Sequence, residues 1–142
     1  MKLKPNISFI TLGVADLQRA RMFYNALGWA EATQSNEGVA FFELNGIILS
    51  LFPRSELAKD ANLPDSRPGF TGISIAYNTD SIEETDAVYQ HALSCGATAV
   101  KPPHKVFWGG YSGYFADPDG HLWEVAHNPF GHFDERGQFR MS

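Results

Sequence analysis

Apolar and polar positions along the chain fall into two similar blocks, residues 7–53 and 71–128. In the first, an apolar run from Ile7 to Val14 predicts a strand. Asp16 then opens a helical pattern that puts Leu17, Ala20, Phe23, Tyr24 and Leu27 on one face and stops at Gly28. In the second block the strand is Ile73 to Tyr77. Ser81 with Glu84 forms a capping box, and Ile82, Thr85, Val88, Tyr89 and Ala92 repeat the apolar face before Gly96. Each helix is followed by short strands that close in a tight hairpin, FFELNGIILSLF with Asn45-Gly46 at its turn and GYFADPDGHLWEVA with Asp117 to Gly120 at its turn. Both blocks read as βαβββ, so the pattern predicts an α+β fold made of two tandem modules. Literal identity between the blocks is low, Tyr24 over Tyr89 and Gly46 over Gly120 being the clearest coincidences. The repeat lies in the spacing of side-chain types.

A length of 142 residues with 44% hydrophobic content is that of one domain able to build a core. The formal charge of −5 and the lack of a basic run argue against nucleic acid as a partner, because phosphate binding needs clustered Lys and Arg. No segment approaches the roughly 20 apolar residues of a membrane span, and MKLKPNISF lacks the apolar stretch of a secretory signal, so a cytoplasmic location without membrane contact is expected. The one cysteine, Cys95, beside Gly96 at a helix end, reads as a packing residue. Between the modules, residues 54–70 form a charged linker carrying Pro64 and Pro68. Ser55 to Ala58 suits one helical turn there, and Arg54 and Arg67 are either solvated or partners for an anionic group. The tail, residues 129–142, carries Phe130, Phe133 and Phe139, which suits docking on a second subunit or on its own domain.

The stretch VADLQRARMFYNALGW (Val14 to Trp29) and the DPDGHLWEV hairpin (Asp117 to Val125), in that order, resemble the vicinal oxygen chelate superfamily of glyoxalases, bleomycin-resistance proteins and extradiol dioxygenases. The DPDG turn alone is weak, since Pro and Gly suit many reverse turns. The resemblance covers nearly the whole chain. It implies that sheets from both modules curve around one cavity with the helices outside. Alternation along the last strand puts His121, Trp123, Val125 and His127 on one face and Leu122, Glu124 and Ala126 on the other. Trp123 and Val125 suit a core beneath a helix, so Glu124 is expected to face the cavity.

In metal-dependent members of that family, the resemblance implies a ligand on the first and last strand of each module. Those positions fall on Phe9, on Ser50, within Gly72 to Ser74 and on Glu124. A phenyl ring cannot ligate, a neutral hydroxyl binds transition metals poorly, and catalytic sites generally need about three protein ligands. No metal and no other cofactor is therefore expected. His91, His121, His127 and His132 read as packing or surface residues, whereas His104, in the Pro-rich KPPHKV segment, is placed on a loop over the cavity mouth. Phe9, Ser50, Phe52, His104, Trp108, Tyr111 and Glu124 are the candidate ligand contacts. Glu124 is the candidate catalytic group, open to the roles of general base, acceptor for a polar ligand, or partner of a neighbouring Tyr. Gly109-Gly110 between Trp108 and Tyr111 permits either close backbone approach to a ligand or a simple bulge.

These residues favour a cavity protein that binds a small hydrophobic or aromatic molecule. The alternatives are a glyoxalase-like lyase or dioxygenase-type metalloenzyme with a shifted ligand set, a metal-independent catalyst using Glu124, or an interaction module whose cavity its own aromatics fill. In this family paired chains commonly flank each cavity, and the Phe-bearing tail offers apolar area, so a homodimer is expected. Light scattering at micromolar concentration should return twice the 15.7 kDa chain mass; a monomer mass that persists on concentration would refute this.

Overall fold

In the computed structural model, which describes every residue except Leu3, Asn6, Arg67, Pro68 and Ser142, the first module begins with strand β1 (Phe9–Val14). Helix α1 (Leu17–Leu27) follows, started by Asp16, whose carboxylate accepts from the Arg19 N–H at 3.0 Å, and ended by Gly28 at φ 122°. Strands β2 (Ala40–Glu43) and β3 (Ile48–Pro53) form the expected hairpin, with Leu44 N–H donating to the Ile47 carbonyl at 2.8 Å and Gly46 at φ 89°. Short helix α2 (Arg54–Asp60) completes this unit, and the chain divides between Arg67 and Pro68. In the second unit come β4 (Ile75–Thr79), α3 (Ile82–Ser94), β5 (Thr98–Lys105), β6 (Tyr111–Ala116), β7 (Leu122–His127), β8 (His132–Phe133) and β9 (Phe139–Arg140).

The two main sheets are mixed and share one plan. In the first, β3 is central, parallel to β1 and antiparallel to β2; in the second, β7 lies parallel to β4 and antiparallel to β6, with β5 at the edge. A helix carries the chain between the two parallel strands in each. The second module shows βαβββ in full. The first has three strands, and the segment where a further strand is expected is tied to β2 by Ala32 N–H to the Phe41 carbonyl at 2.7 Å and by Phe41 N–H to the Ser35 hydroxyl at 2.9 Å, with an isolated bridge between Asn36 and Val39 in place of a ladder. Gly38 and Asn36 turn the chain there, Asn36 Oδ1 accepting from Gly38 N–H at 2.8 Å, which leaves no length for a ladder.

The cores also correspond. Tyr24 is fully buried on α1, its ring 6.1 Å from Phe42 of β2; Tyr89 holds the same place on α3, 6.4 Å from Phe115 of β6. Trp29 stacks on Tyr24 at 6.0 Å, while Trp123 stacks on Phe115 at 6.3 Å. Burying each such ring contributes roughly 1.5–3 kcal/mol, before specific ring geometry adds to it. The offset that carries Tyr24 onto Tyr89 carries Asp16 onto Ser81, which accepts from Glu84 N–H at 3.0 Å while Glu84 accepts from Asp80 N–H at 3.0 Å. It also carries Val14 and Ala20 onto Thr79 and Thr85, all four buried, the two threonine hydroxyls meeting at 2.7 Å.

The tail folds as the β8–β9 hairpin, Phe133 packing edge-on to Phe139 at 5.3 Å and Phe130 lying against Gly109 of the same unit. No helix among the described residues is long and apolar enough to cross a membrane.

Gly113 of β6 lies where a Cβ would sit 2.5 Å from Pro103 N and 2.7 Å from the Lys101 carbonyl oxygen. Both contacts are with the backbone of β5, so the strand itself must move. Gly113→Ala should lower the unfolding free energy by about 1–3 kcal/mol in a denaturant titration; an unchanged midpoint would contradict the β5–β6 packing.

Candidate functional site

Hairpin register decides which side chains gather around Glu124. The turn from Asp117 to Gly120 is tied by Asp117 itself, whose buried carboxylate accepts from Asp119 N–H at 2.9 Å and His121 N–H at 2.8 Å, with Gly120 at φ 84°. From that turn the strands pair Leu122 with Ala116, Trp123 with Phe115 and Glu124 with Tyr114, and on the other side Glu124 is level with Ala76 of β4. Alternation then separates the faces. Trp123, Val125 and Phe115 are buried beneath α3, whereas half-buried Glu124 projects from the opposite face beside Tyr114, as the sequence pattern predicts.

The Tyr114 pKa is raised above the ordinary 10.0, first by burial, then by the charge of its register partner Glu124, then by hydrogen bonding to that carboxylate. The carboxylate can accept from a ligand N–H or O–H, and it has beside it a phenol whose raised pKa favours the protonated, donating form. Ser112 of β6, buried, and Asn78 of β4 share this face by register.

In the first module Ser50 holds the equivalent place on β3, level with Thr11 of β1 and Phe41 of β2, and is itself buried. Phe9, half-exposed, meets Phe41 edge-on at 6.1 Å, and Phe9 and Phe52 alternate onto the same face as Ser50, away from α1. The offset between modules carries Phe9 onto Ser74, immediately before β4. Glu124 is thus matched by residues that do not fit a divalent ion. Among the described residues no three His, Cys, Asp or Glu side chains cluster closely enough to hold one.

Three candidates stand elsewhere in the second module. His104 lies on edge strand β5, level with Ser112, and not on a loop; prolines 102 and 103 are tolerated there because an edge strand has one unpaired side and β5 shifts register between Ala99 and His104. Its Nδ1 is 3.0 Å from the Pro102 carbonyl. Tyr111 pairs with His127 and faces α3, donating to Asp86 Oδ1 at 2.8 Å, so it is on the opposite side of the sheet from Glu124. Trp108 folds its ring back over Gly110 within the turn joining β5 to β6, where a Cβ on Gly110 would overlap the indole. The glycine pair is therefore accounted for by this turn. Arg54 is engaged inside the linker, 2.7 Å from Asp65 and bonded to the Ser66 carbonyl; Arg67 lies outside the described residues.

Tyr114 is the site residue that sequence reasoning left out of the contact set. Its signal was present, since residues equidistant from the Asp117–His121 closing pair must face each other, and Tyr114 is as far before Asp117 as Glu124 is after His121.

Comparison with known proteins bears on this geometry. The model of the Glyoxalase/Bleomycin resistance protein/Dioxygenase superfamily matches residues 6–125. A protein named metallothiol transferase FosB from Shouchella clausii is 34% identical over 123 residues, spanning 84% of this chain and 77% of the relative. The crystal structure of a glyoxalase-related enzyme from Fulvimarina pelagi superposes with a TM-score of 0.88 at 30% identity, covering 96% of this chain and 98% of that one. Lactoylglutathione lyase from Agrobacterium tumefaciens gives a TM-score of 0.67 at 26% identity over 89% of this chain and 96% of that one.

Because the Glu124 charge helps to raise the Tyr114 pKa, Glu124→Gln should bring that ionisation to lower pH, read from ring resonances of isotope-labelled tyrosine. A phenol whose folded pKa is raised adds stability that is present below its unfolded pKa and is lost as pH rises through the folded value. The variant should therefore show a smaller Tyr114-dependent loss of stability in the alkaline range; an unmoved titration would refute the contact.

Proposed function

The chain belongs to the glyoxalase/bleomycin resistance protein/dioxygenase superfamily, and within it we propose that it binds a small hydrophobic or aromatic molecule without using a metal ion. The observation that carries this reading is the pairing of Glu124, the one metal-binding side chain at the family's four positions, with Tyr114 across the hairpin. Phe9, Ser50 and Gly72 to Ser74 hold the other three. Chelation needs several anionic or imidazole donors converging on one point, and these residues supply aromatic surface and a neutral hydroxyl instead.

Within the second module the face that carries Glu124 pairs a carboxylate acceptor with the Tyr114 ring across the hairpin. A planar ligand bearing a single N–H or O–H suits that pair. Glu124 is also a group able to act as a general base, which makes proton abstraction the reaction open to such a site. The 34% identity to a metallothiol transferase favours a second reading, metal-dependent transfer of a thiol, which requires ligands from outside the family's positions.

Naphthol, flat and with one O–H donor, should bind saturably to the purified full chain, and Glu124→Gln should weaken it by about tenfold while leaving the denaturation midpoint in place. Elemental analysis after incubation with nickel or zinc should find no stoichiometric metal, and methylglyoxal–glutathione turnover should be absent. About one metal per chain, lost on Glu124→Gln, would overturn the binding reading in favour of the metalloenzyme.

A further inference from the structure

The turn between β5 and β6 walls a cavity of about 260 Å³ that belongs entirely to the second module. Its lining is Ile82 at the start of α3, Lys105 and Val106 at the end of β5, Tyr111, His127 and the turn glycines. Tyr111 and His127 are register partners on the α3 side of the sheet, so this cavity opens on the face opposite Glu124 and Tyr114. The reading proposed above makes no use of it.

The wall is built to hold its shape. Val106 N–H donates to the Gly110 carbonyl at 3.0 Å, and Gly109 N–H donates back to the Val106 carbonyl at 3.0 Å. Phe130 of the tail packs against Gly109, and the Trp108 ring covers Gly110 so closely that no side chain fits there. Two aromatics thus brace the turn.

The chemistry of the lining is one-sided. Ile82, Val106 and the Tyr111 ring are apolar. The Tyr111 hydroxyl is already committed to Asp86, and His127 Nδ1 donates to the Thr79 carbonyl at 3.3 Å. The Lys105 ammonium has no ion pair among the described residues. A cavity of about 150 Å³ accepts benzene, so this volume admits one ring with a carboxyl group attached. Asp86, bonded to Tyr111, disfavours a second negative charge.

We propose that this cavity is a second small-molecule site, selective for small aromatic monocarboxylates, with the ring against Ile82, Val106 and Tyr111 and the carboxylate on Lys105. Benzoate titrated into the full chain should shift the backbone amides of Gly109, Gly110, Tyr111 and His127 saturably. Lys105→Gln, at an exposed position, should weaken benzoate by about tenfold, and uncharged benzamide should bind the native chain more weakly by a similar factor. Val106→Trp should abolish the shifts by filling the space, and Glu124→Gln should leave them unchanged, which separates this site from the other face of the sheet. Equal binding of benzoate by Lys105→Gln, equal binding of benzamide, or shifts centred on Tyr114 and Glu124 would each overturn the assignment.

Discussion

Both modules depend on burying one helix tyrosine against one strand phenylalanine. A crossover helix can hold the first strand parallel to the last only if its apolar face has something flat to rest on, and the Tyr24–Phe42 and Tyr89–Phe115 pairs are that contact. Each tyrosine is almost wholly withdrawn from water. Its hydroxyl must then find a partner, and Tyr89 donates to the Tyr114 carbonyl at 3.0 Å, tying the helix to the strand that carries the neighbour of Glu124. Packing on one face of the second sheet thereby fixes the backbone from which the polar face is built.

Once the helix side of each sheet is defined, the two-residue period of a strand assigns everything else. Trp123 and Val125 beneath α3 force Glu124 out on the far face, and Leu49 and Leu51 beneath α1 do the same for Ser50. A register slip by one residue would bury a carboxylate and expose a tryptophan. The Asp117 carboxylate, which holds two backbone N–H groups of the turn, guards against that slip at the point where the hairpin is made.

This explains what was legible in the sequence. Both main helices, both hairpin turns, the capping box and the face of Glu124 follow from local rules that each residue obeys on its own: Asp16 and Ser81 cap, Gly28 and Gly46 turn, alternation sorts faces. What was misread depends on partners distant in sequence or on competition between rules. Prolines 102 and 103 suggested a loop for His104, yet an edge strand tolerates them. Tyr111 looked like a cavity aromatic because it stands beside paired glycines, but counting outward from the Asp117–His121 pair sets it across from His127 on the other face of the sheet, and Tyr114 across from Glu124. The shortening of the first module's sheet was hidden because residues 30–36 carry no Gly or Pro to interrupt a strand; their departure from β2 depends on the Asn36–Gly38 turn.

Comparing the modules shows where a duplicated framework has been free to diverge. Positions that touch the helix keep their size: Tyr24 and Tyr89, Phe42 and Phe115, Leu51 and Val125 remain large and apolar or aromatic. Where polarity enters the buried set it enters in pairs, Val14 and Ala20 giving way to Thr79 and Thr85, whose hydroxyls satisfy one another and the Ser81 carbonyl. The same rule operates on the opposite face. Glu124 replaces Ser50 only in the module where register places a tyrosine hydroxyl, Tyr114, against it; at the equivalent point beside Ser50 stands Phe41, which has no donor to offer. The register neighbour with a hydroxyl beside Ser50 is instead Thr11 of β1, so among these equivalent positions the tyrosine–carboxylate pair belongs to the second module's hairpin alone.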